Sequence, residues 1–269
     1  MGDTSIAYRQ GDYPISIDGT FIKRVQDFET RPTYPREQVN QLGSEVAVGS
    51  VADATDYSGR IRAYGIDNSI EEALGGLTPT TWKAHTGSSV DGPTHGITGA
   101  KIGRAEYSCR VNGFFEESFD LYGTGESNGS PSISGDVTGD IAFKSKSINV
   151  EVNGTSAVRA QSFRATVDCA PTEVNELNNE DVVGRVYDSS IIDLEIEFLE
   201  STSIAGNTEF TGASAGSIVI YVDTSKKVLT FNNVRSAETP RNARVQDFGR
   251  RVYRYRSDAN TDDGGLTLS

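Results

Sequence analysis

The sequence predicts a mainly β protein made of two tandem β-sandwich or barrel domains. Val, Ile, Tyr, Phe and Thr recur in short alternating runs, as they do in strands that bury one face. The 28 glycines and 8 prolines fall between these runs, where turns are expected. The third observation is that the two halves of the chain resemble one another, which predicts two copies of one domain.

The internal resemblance is clearest when the chain is aligned with itself at an offset of 135 residues. Residues 5–61 then share 16 identities with residues 140–196 over 57 positions, where unrelated sequences share about 3 or 4. The pentapeptide RVQDF occurs at 24–28 and 244–248, but the residues around the two copies do not match. RAQSF at 159–163 is the better partner of the first copy, because there the flanking residues agree as well.

The alignment divides the chain into three parts. We predict a first domain at 1–122, a flexible linker at 123–139 and a second domain at 140–269. The linker sequence, GTGESNGSPSISGDVTG, is rich in Gly and Ser and has the composition of a flexible coil. The last residues, SDANTDDGGLTLS, are predicted to be a mobile tail.

Within each domain the pattern predicts strands, a short helical turn and then further strands. The turns are placed at Pro35–Leu42 and Pro171–Leu177. They are followed by Gly43 and Asn178, which align with each other and are the two residue types that best tolerate a left-handed backbone. A clearer helix is predicted over 68–77, where a capping box begins the segment and two glycines end it.

The chain is acidic, with a net charge of −13. This argues against a protein that binds nucleic acid or an anionic membrane through a positive surface. The two cysteines, Cys109 and Cys169, make no disulfide framework, and the amino terminus lacks the pattern of a signal peptide. The longest apolar run, IVIYV at 218–222, is too short to cross a bilayer. We therefore predict a soluble protein with no membrane partner.

No group of residues predicts catalysis. GASAG at 212–216 fits the G-x-S-x-G pattern of a nucleophile elbow, but that mechanism needs a histidine downstream of Ser214. The only two histidines, His85 and His95, lie in the other half of the chain. An esterase is the enzyme alternative, and because it lacks the required histidine we predict that the protein is not an enzyme.

No cofactor or metal site is predicted either. DANTDDGG at 258–265 begins like a calcium loop, but its glycine is one place late and no acid stands at the bidentate position. His85, Asp91 and His95 share a Gly-rich segment, and two histidines with one acid are a common surface pattern. GTGESNG has neither the spacing nor the lysine of a phosphate-binding loop.

Several motifs occur in the same order in both halves. FIKRVQDF, YPREQVNQLGSEVAVGSVAD and RIRAYGID follow one another in the first half, and RAQSF, TEVNELNN and RVYD in the second. In this order the motifs resemble the opening of the major tail tube proteins of long-tailed viruses, and the resemblance covers nearly the whole chain. Asn178 in place of a glycine, and the missing helix signature in the second half, depart from the pattern.

The resemblance implies a domain whose inner sheet joins those of its neighbours into a closed ring. Six such domains surround the lumen of a tail tube, so a duplicated subunit implies a ring of three chains with pseudo-sixfold symmetry. The partners would be other copies of the chain, other tail proteins at the tube ends, and DNA that passes through the lumen without specific binding. The protein would belong to the virion tail and be assembled in the host cytoplasm.

The matched motifs also suggest residues for ring or stacking contacts. The EQVNQL segment at 37–42 and the TEVNEL segment at 172–177 are expected near contacts between rings. The full set of suspected contact residues is Arg24, Gln26, Val39, Asn40, Leu42, Arg159, Gln161, Val174, Asn175 and Leu177. The 18 arginines against 7 lysines, beside 38 acidic residues, are a bias familiar from proteins of high salt and would fit a virus of a halophilic host.

Two other classes of protein stay open as alternatives. A tube protein of a secretion or contractile injection system would share the fold. A tandem β-sandwich module for binding or attachment would also be acidic and rich in strands, but it should carry clustered exposed aromatic residues. The chain offers a single tryptophan, Trp82, so the sequence gives little sign of such a surface.

Finally, the alignment predicts two sets of strands that lie side by side. Basic residues of one strand in the first half align with acidic residues in the second, and a later strand switches sign in the opposite sense. Opposite charges on neighbouring strands contribute about 0.2–1 kcal/mol each, which favours adjacent strands. The residues predicted to form these charge-paired strands are Arg60, Arg62, Glu116, Glu117, Asp120, Glu195, Glu197, Arg250, Arg251 and Arg254.

Overall fold

A computed structural model of the chain gives the fold, and almost all of the residues that it describes lie in strands, with no helix among them. The described residues are 15–17, 20–22, 25–34, 36–39, 49–52, 55–64, 80–85, 94–129, 145–168, 171–174, 184–187, 191–199, 216–222, 226–238, 241–242, 250–257 and 266–268.

Among the described residues, ten strands belong to the first half of the chain and ten to the second. The first ten are β1 (Ile15–Ile17), β2 (Thr20–Ile22), β3 (Val25–Thr33), β4 (Arg36–Val39), β5 (Gly49–Ala52), β6 (Asp56–Tyr64), β7 (Thr80–His85), β8 (Thr94–Arg110), β9 (Glu116–Gly123) and β10 (Gly125–Gly129). The others are β11 (Ile148–Val152), β12 (Thr155–Asp168), β13 (Pro171–Val174), β14 (Gly184–Tyr187), β15 (Ile191–Leu199), β16 (Gly216–Val222), β17 (Lys226–Glu238), β18 (Arg241–Asn242), β19 (Arg250–Ser257) and β20 (Leu266–Leu268).

Alternation of side chains explains why these segments are strands. In β16, GSIVIYV, every second residue is buried, and β9, EESFDLYG, shows the same alternation of buried and more exposed positions. Successive side chains of a strand point to opposite faces, so such a pattern buries one face of a sheet and leaves the other to solvent. The prediction of a mainly β protein is therefore confirmed.

Strands of the second half close into a barrel. β12, β15, β19, β17, β16 and β11 follow one another as hydrogen-bonded neighbours, and β11 pairs again with β12. The inward residues of these strands form the barrel core, which contains Val150, Phe163, Ile196, Phe198 and Phe231, each at most 3% exposed. In the first half β6, β9, β8, β7 and β1 follow one another in the same way, with β3 beside β6 and β2 beside β1.

One continuous antiparallel sheet of eight strands runs through both halves. Its order is β3, β6, β9, β8, β12, β15, β19 and β17, and we call it the long sheet. The two halves meet where β8 pairs with β12, over seven directly opposed residues from Arg110↔Ser162 to Arg104↔Asp168. We call this contact the internal junction. Beyond the strand ends, Val111 N donates to Gln161 O at 2.9 Å, which extends the junction by one more hydrogen bond.

Strand registers in the two halves correspond residue by residue. β3 and β6 pair from Val25↔Ala63 to Thr33↔Asp56, and β12 and β15 from Ala160↔Phe198 to Asp168↔Ile191, which is the same register 135 residues later. Both pairs contain a β-bulge at the same place, before Asp27 and before Ser162. The pairs β8–β9 and β17–β19 also share a register and a bulge, at an offset of 134 residues.

The prediction of a helical turn in each half is wrong where the structure describes those segments. Residues 36–39 form β4, which pairs with β5 (Arg36↔Ala52), and residues 171–174 form β13, which pairs with β14 (Pro171↔Tyr187). Pairing with a distant strand outweighs a local propensity of a few tenths of a kcal/mol per residue. The helix predicted over 68–77, with Gly43 and Asn178, lies outside the described residues.

Parts of the predicted linker and tail are strands as well. Gly125–Gly129 form β10, which pairs with the start of β8, and Leu266–Leu268 form β20, which pairs with β17. Both segments add a strand to an existing sheet, and in β10, GESNG, backbone hydrogen bonds to a neighbour order a sequence without apolar side chains. The rest of the predicted linker, from 130 onward, lies outside the described residues.

Candidate functional site

The solvent-facing side of the long sheet is the most unusual surface among the described residues. The opposite side packs on the core, while on this side charged residues follow one another along every strand. We call it the charged face. Part of it is a shallow hollow across β3, β6, β9 and β8, lined by residues that include Asp27, Glu29, Arg60, Glu106 and Glu116.

The charged face is electrically balanced, although the whole chain carries −13. Among the side chains that the structure describes, it holds ten cationic and ten anionic residues. The cations are Arg31, Arg60, Arg62, Lys101, Arg104, Arg110, Arg164, Arg235, Arg254 and Arg256. The anions are Asp27, Glu29, Asp56, Glu106, Glu116, Asp120, Asp168, Asp193, Glu195 and Glu197. The acidic excess of the chain therefore comes from residues outside this set of twenty.

In the first half, basic β6 lies beside acidic β9. Arg60 is directly opposite Asp120, with 3.5 Å between Nε and Oδ1, and it also donates a hydrogen bond to Ser118 Oγ at 3.1 Å. Arg62 is opposite Ser118, and Glu116 is opposite Tyr64. The two strands named by the sign pattern are therefore neighbours within one half, with Arg60 and Asp120 forming the ion pair.

In the second half, acidic β15 lies beside basic β19. Arg254 Nε donates to Glu195 Oε2 at 2.9 Å, and the two residues are directly opposed. The next pair along the strands, Arg256 and Asp193, is bidentate at 2.8 and 3.2 Å. That carboxylate raises the pKa of the Arg256 guanidinium through its hydrogen bonds. Glu197 instead accepts a hydrogen bond from Ser162 Oγ at 2.9 Å, on the other neighbouring strand.

Other residues of the predicted charge-paired set lie elsewhere. Glu117 is opposite Ala63 and fully buried on the core side of the sheet, so it does not share a face with Glu116. Arg250 and Arg251 are opposite Leu199 and Phe198. Residues adjacent in sequence point to opposite faces of a strand, which is why Glu116 and Glu117 could not both face the arginines of β6.

The internal junction carries its own ion pair across the charged face. Arg164 Nη2 on β12 donates to Glu106 Oε2 on β8 at 2.8 Å. Arg164 is directly opposite Ser108, so it reaches diagonally to a residue two positions along. This hydrogen bond raises the pKa of the Arg164 guanidinium. The two halves are thus joined by backbone pairing and by a diagonal pair of opposite charges.

At the outer strand β3, Glu29 and Arg31 pair with each other on the same strand. Arg31 donates from Nε and Nη2 to the two carboxylate oxygens at 2.7 and 2.9 Å. These hydrogen bonds lower the pKa of the Glu29 carboxyl, and the pKa of Arg31 is raised in return. Both side chains are exposed.

This pair gives a pH prediction. Because the pKa of Glu29 is lowered on folding, its contribution to stability is present above the unfolded pKa and lost as pH falls through the folded value. We expect Arg31→Ala to raise the pKa of Glu29 toward the ordinary glutamate value. An NMR titration of the Glu29 carboxyl carbon in the two proteins measures this. An unchanged Glu29 titration in the variant would contradict the pairing.

Two of the suspected contact residues occupy the β-bulges. Gln26 is the extra residue between Val25 and Asp27 on β3, and Gln161 is the extra residue between Ala160 and Ser162 on β12. A bulge increases local twist and is a defined feature of a strand rather than a defect. The glutamine shared by RVQDF and RAQSF thus marks the bulge in each half.

The remaining suspected contact residues lie on two small sheets, on β12, or outside the described residues. Val39 pairs with Gly49 and Val174 with Gly184, at the ends of β4 and β13, and Val174 is 42% exposed. β4–β5 and β13–β14 are two-stranded sheets separate from the long sheet. Arg159 is opposite Asn149 on β11. Residues Arg24, Asn40, Leu42, Asn175 and Leu177 lie outside the described residues.

The structure describes little that would serve as a metal or catalytic site. Within the described ranges no three His, Cys, Asp or Glu residues are grouped so as to hold a metal ion. His85 is opposite Thr94 and His95 opposite Ala84, so the two histidines are not opposed across β7 and β8. Ser214 and Asp91 lie outside the described residues. The described part of the chain contains no helix long and apolar enough to cross a membrane.

Comparison with known proteins identifies no relative of this chain. No protein-family profile matches the chain, and no curated protein matches it.

Proposed function

We propose that this chain is the structural subunit of a viral tail tube, in which three copies form a ring and the rings stack around a lumen that conducts DNA. The observation that carries the proposal is the long sheet, an eight-strand sheet with a charged face. Among the described strands, β3 at one end pairs with β6 alone, and the C-terminal part of β17 at the other end pairs with β19 alone. The ordered motifs that resemble tail tube proteins support the same assignment.

The proposal includes an internal duplication, with each half contributing one copy of the same domain. The shared registers of β3–β6 and β12–β15, with the bulge at the same place, support this. So do the shared registers of β6–β9 and β15–β19, from Tyr57↔Gly123 and Ile192↔Ser257 onward. Unrelated sheets would have no reason to agree in both register and bulge position.

The charged face argues against closure of the long sheet within one chain. A closed barrel of eight strands has an interior just wide enough for side chains to fill. Closure with this face inward would bury twenty charges, and desolvation costs several kcal/mol for each ion even when it is paired. A single long sheet is therefore not expected to close around its own charged face, whereas several copies together would leave room for water inside the ring.

Three copies would give a closed sheet of 24 strands, because each long sheet has eight. With a strand spacing near 4.8 Å and a tilt near 40°, such a barrel is roughly 45–50 Å across between opposite backbones. Barrels of about 16–18 strands already enclose an aqueous channel. The lumen would thus be wet and wider than a DNA duplex, with the charged face as its lining.

The ring also solves a problem that the open sheet creates. Exposed strand edges template uncontrolled pairing with other chains, and closure removes them. A head-to-tail contact that closes by rotation gives a ring, whereas one that does not close gives a filament. The sheets β4–β5 and β13–β14 are separate from the long sheet, and we assign them and the residues that follow β4 and β13 to contacts between rings.

Electron microscopy of the purified protein across a concentration series tests the proposal. We expect rings with three chains and pseudo-sixfold symmetry, and stacks of such rings at high concentration. Light scattering with mass determination gives the chain number independently. A protein that stays monomeric under these conditions would remove the proposed function and favour a binding or attachment module, and rings of six chains would contradict the duplicated subunit.

A further inference from the structure

The internal junction shows how a strand of one half of this chain pairs with a strand of the other half. β12 adds to the edge of β8 in a single antiparallel register, Arg164↔Ser108 and Asp168↔Arg104 among its pairs. Phe163 is covered at this contact and is 3% exposed, with its ring 6.1 Å from that of Phe115. Backbone pairing, a buried aromatic residue and a diagonal ion pair therefore act together.

At the two ends of the long sheet, β3 and the C-terminal end of β17 correspond to β12 and β8 of the internal junction. Among the described strands, each of these two segments has a strand neighbour on one side only. β3 matches β12 in its register with the next strand, and among the described strands it pairs with β6 alone. The C-terminal end of β17, with β18, matches β8, and among the described strands this end pairs with β19 alone. One chain thus presents both members of a junction that it cannot join by itself.

We propose that β3 of one chain pairs antiparallel with β17 and β18 of a second copy, in the register of the internal junction. When the residue pairs of the internal junction are moved to the equivalent positions on β3, β17 and β18, three directly opposed pairs result. They are Thr33↔Glu238, Thr30↔Arg241 and Glu29↔Asn242. This inference rests on the proposed ring and names the strand contact that closes it. We call it the external junction.

Charge and burial on β3 fit this contact. In the proposed register Arg31 is diagonal to Glu238, as Arg164 is diagonal to Glu106 in the internal junction. Phe28 holds the place of Phe163 and is only partly buried against the core, so a second copy would cover the remainder. A contact made by strand addition is expected to bury a partly exposed aromatic side chain such as that of Phe28.

Pro32 makes the external junction weaker than the internal one. It stands where β12 has Val167, and it has no N–H to donate to a ladder. Proline is typical of edge strands, because it discourages indiscriminate pairing with other chains. The contact between chains then depends on side-chain fit in one register, which selects β17 and β18 over other strand edges.

Cysteine cross-linking of assembled full-length protein tests the register. In a C109A/C169A background, Glu29→Cys with Asn242→Cys places the thiols on directly opposed residues across the external junction. The matched off-register variant is Glu29→Cys with Glu238→Cys, whose residues lie four positions apart along the ladder, or about 14 Å. Arg164→Cys with Ser108→Cys marks the same place in the internal junction and provides the positive control within one chain.

We expect the in-register variant to form disulfide-linked dimers and closed trimers on a non-reducing gel, at least about tenfold more than the off-register variant, since disulfides need Cα atoms within about 7 Å. Rings that cross-link equally well off register, or not at all in register, overturn the external junction while the proposed function stands. Cross-linked dimers from Glu29→Cys alone would show β3 pairing with β3, which also overturns it. A chain that forms no rings removes both proposals.

Discussion

Replacing Phe163 with alanine is expected to lower the free energy of unfolding by about 3–5 kcal/mol, because a fully buried aromatic side chain leaves a cavity that the surrounding strands fill poorly. Phe163 is 3% exposed on β12, within ring contact of Phe115 from the first half. The substitution therefore removes packing at the point where the two halves meet. Urea unfolding of the monomer measures the effect as a lower midpoint at an unchanged m-value.

Phe28→Ala is the matched control, because Phe28 occupies the equivalent register position on β3. It is only partly buried, so we expect the monomer to lose about 1–2 kcal/mol. Phe28→Ala should also raise the protein concentration needed for ring formation. This increase should be larger than the loss of monomer stability alone would cause, because a second copy is proposed to cover Phe28. Equal losses of monomer stability for the two variants would show that the internal junction does not bury Phe163 as described.

Replacing Gly123 with alanine is expected to cost about 1–3 kcal/mol or somewhat more, the range for overpacking a filled core. A Cβ at this position would overlap Ile97 Cγ2 and lie 2.8 Å from the backbone oxygen of Thr98. Ile97 is 2% exposed, so its side chain cannot move into solvent. The Thr98 oxygen is a backbone atom, so it cannot move away without a shift of the chain. Thermal or urea unfolding of the variant measures the loss.

The control for this prediction is Gly125→Ala, two residues further along. Its Cβ would meet only the Thr98 hydroxyl at 2.9 Å, and a hydroxyl can rotate away. We expect a loss below about 1 kcal/mol there. Combining Gly123→Ala with Ile97→Ala should cost less than the sum of the two single changes, since the second removes the atom that the first meets. Additive losses would argue against the close contact.

Local sequence patterns predicted the strands and the adjacency of the charged ones. Alternation marked β6, β9 and β15, and the sign switch between Arg60 and Glu195 pointed to strands that are indeed neighbours within each half. The same alternation could have shown that Glu117 faces the core, because it is adjacent to Glu116 in the strand.

Non-local pairing accounts for the features that the sequence did not predict. The segment at 36–39 begins after a proline and has the local signals of a helical turn, yet it pairs with β5 ten or more residues away. The internal junction joins β8 to β12 across more than fifty residues, and no motif within either strand identifies the other. Such contacts depend on which edges meet in the folded chain, which a short window of sequence does not record.

The balance of the charged face determines how far its electric field reaches. A uniformly acidic wall would project a field over about one Debye length, near 8–10 Å, and salt would change it. Here acidic strands β9 and β15 lie beside basic strands β6 and β19, and β8 and β12 between them carry both signs, so opposite charges are about 5 Å apart across neighbouring strands. The fields of opposite charges at this spacing largely cancel within about 10 Å of the sheet, whatever the salt concentration. In a tube lined by this face, a polyanion on the axis would meet neither attraction nor repulsion, and its passage would be nearly independent of ionic strength.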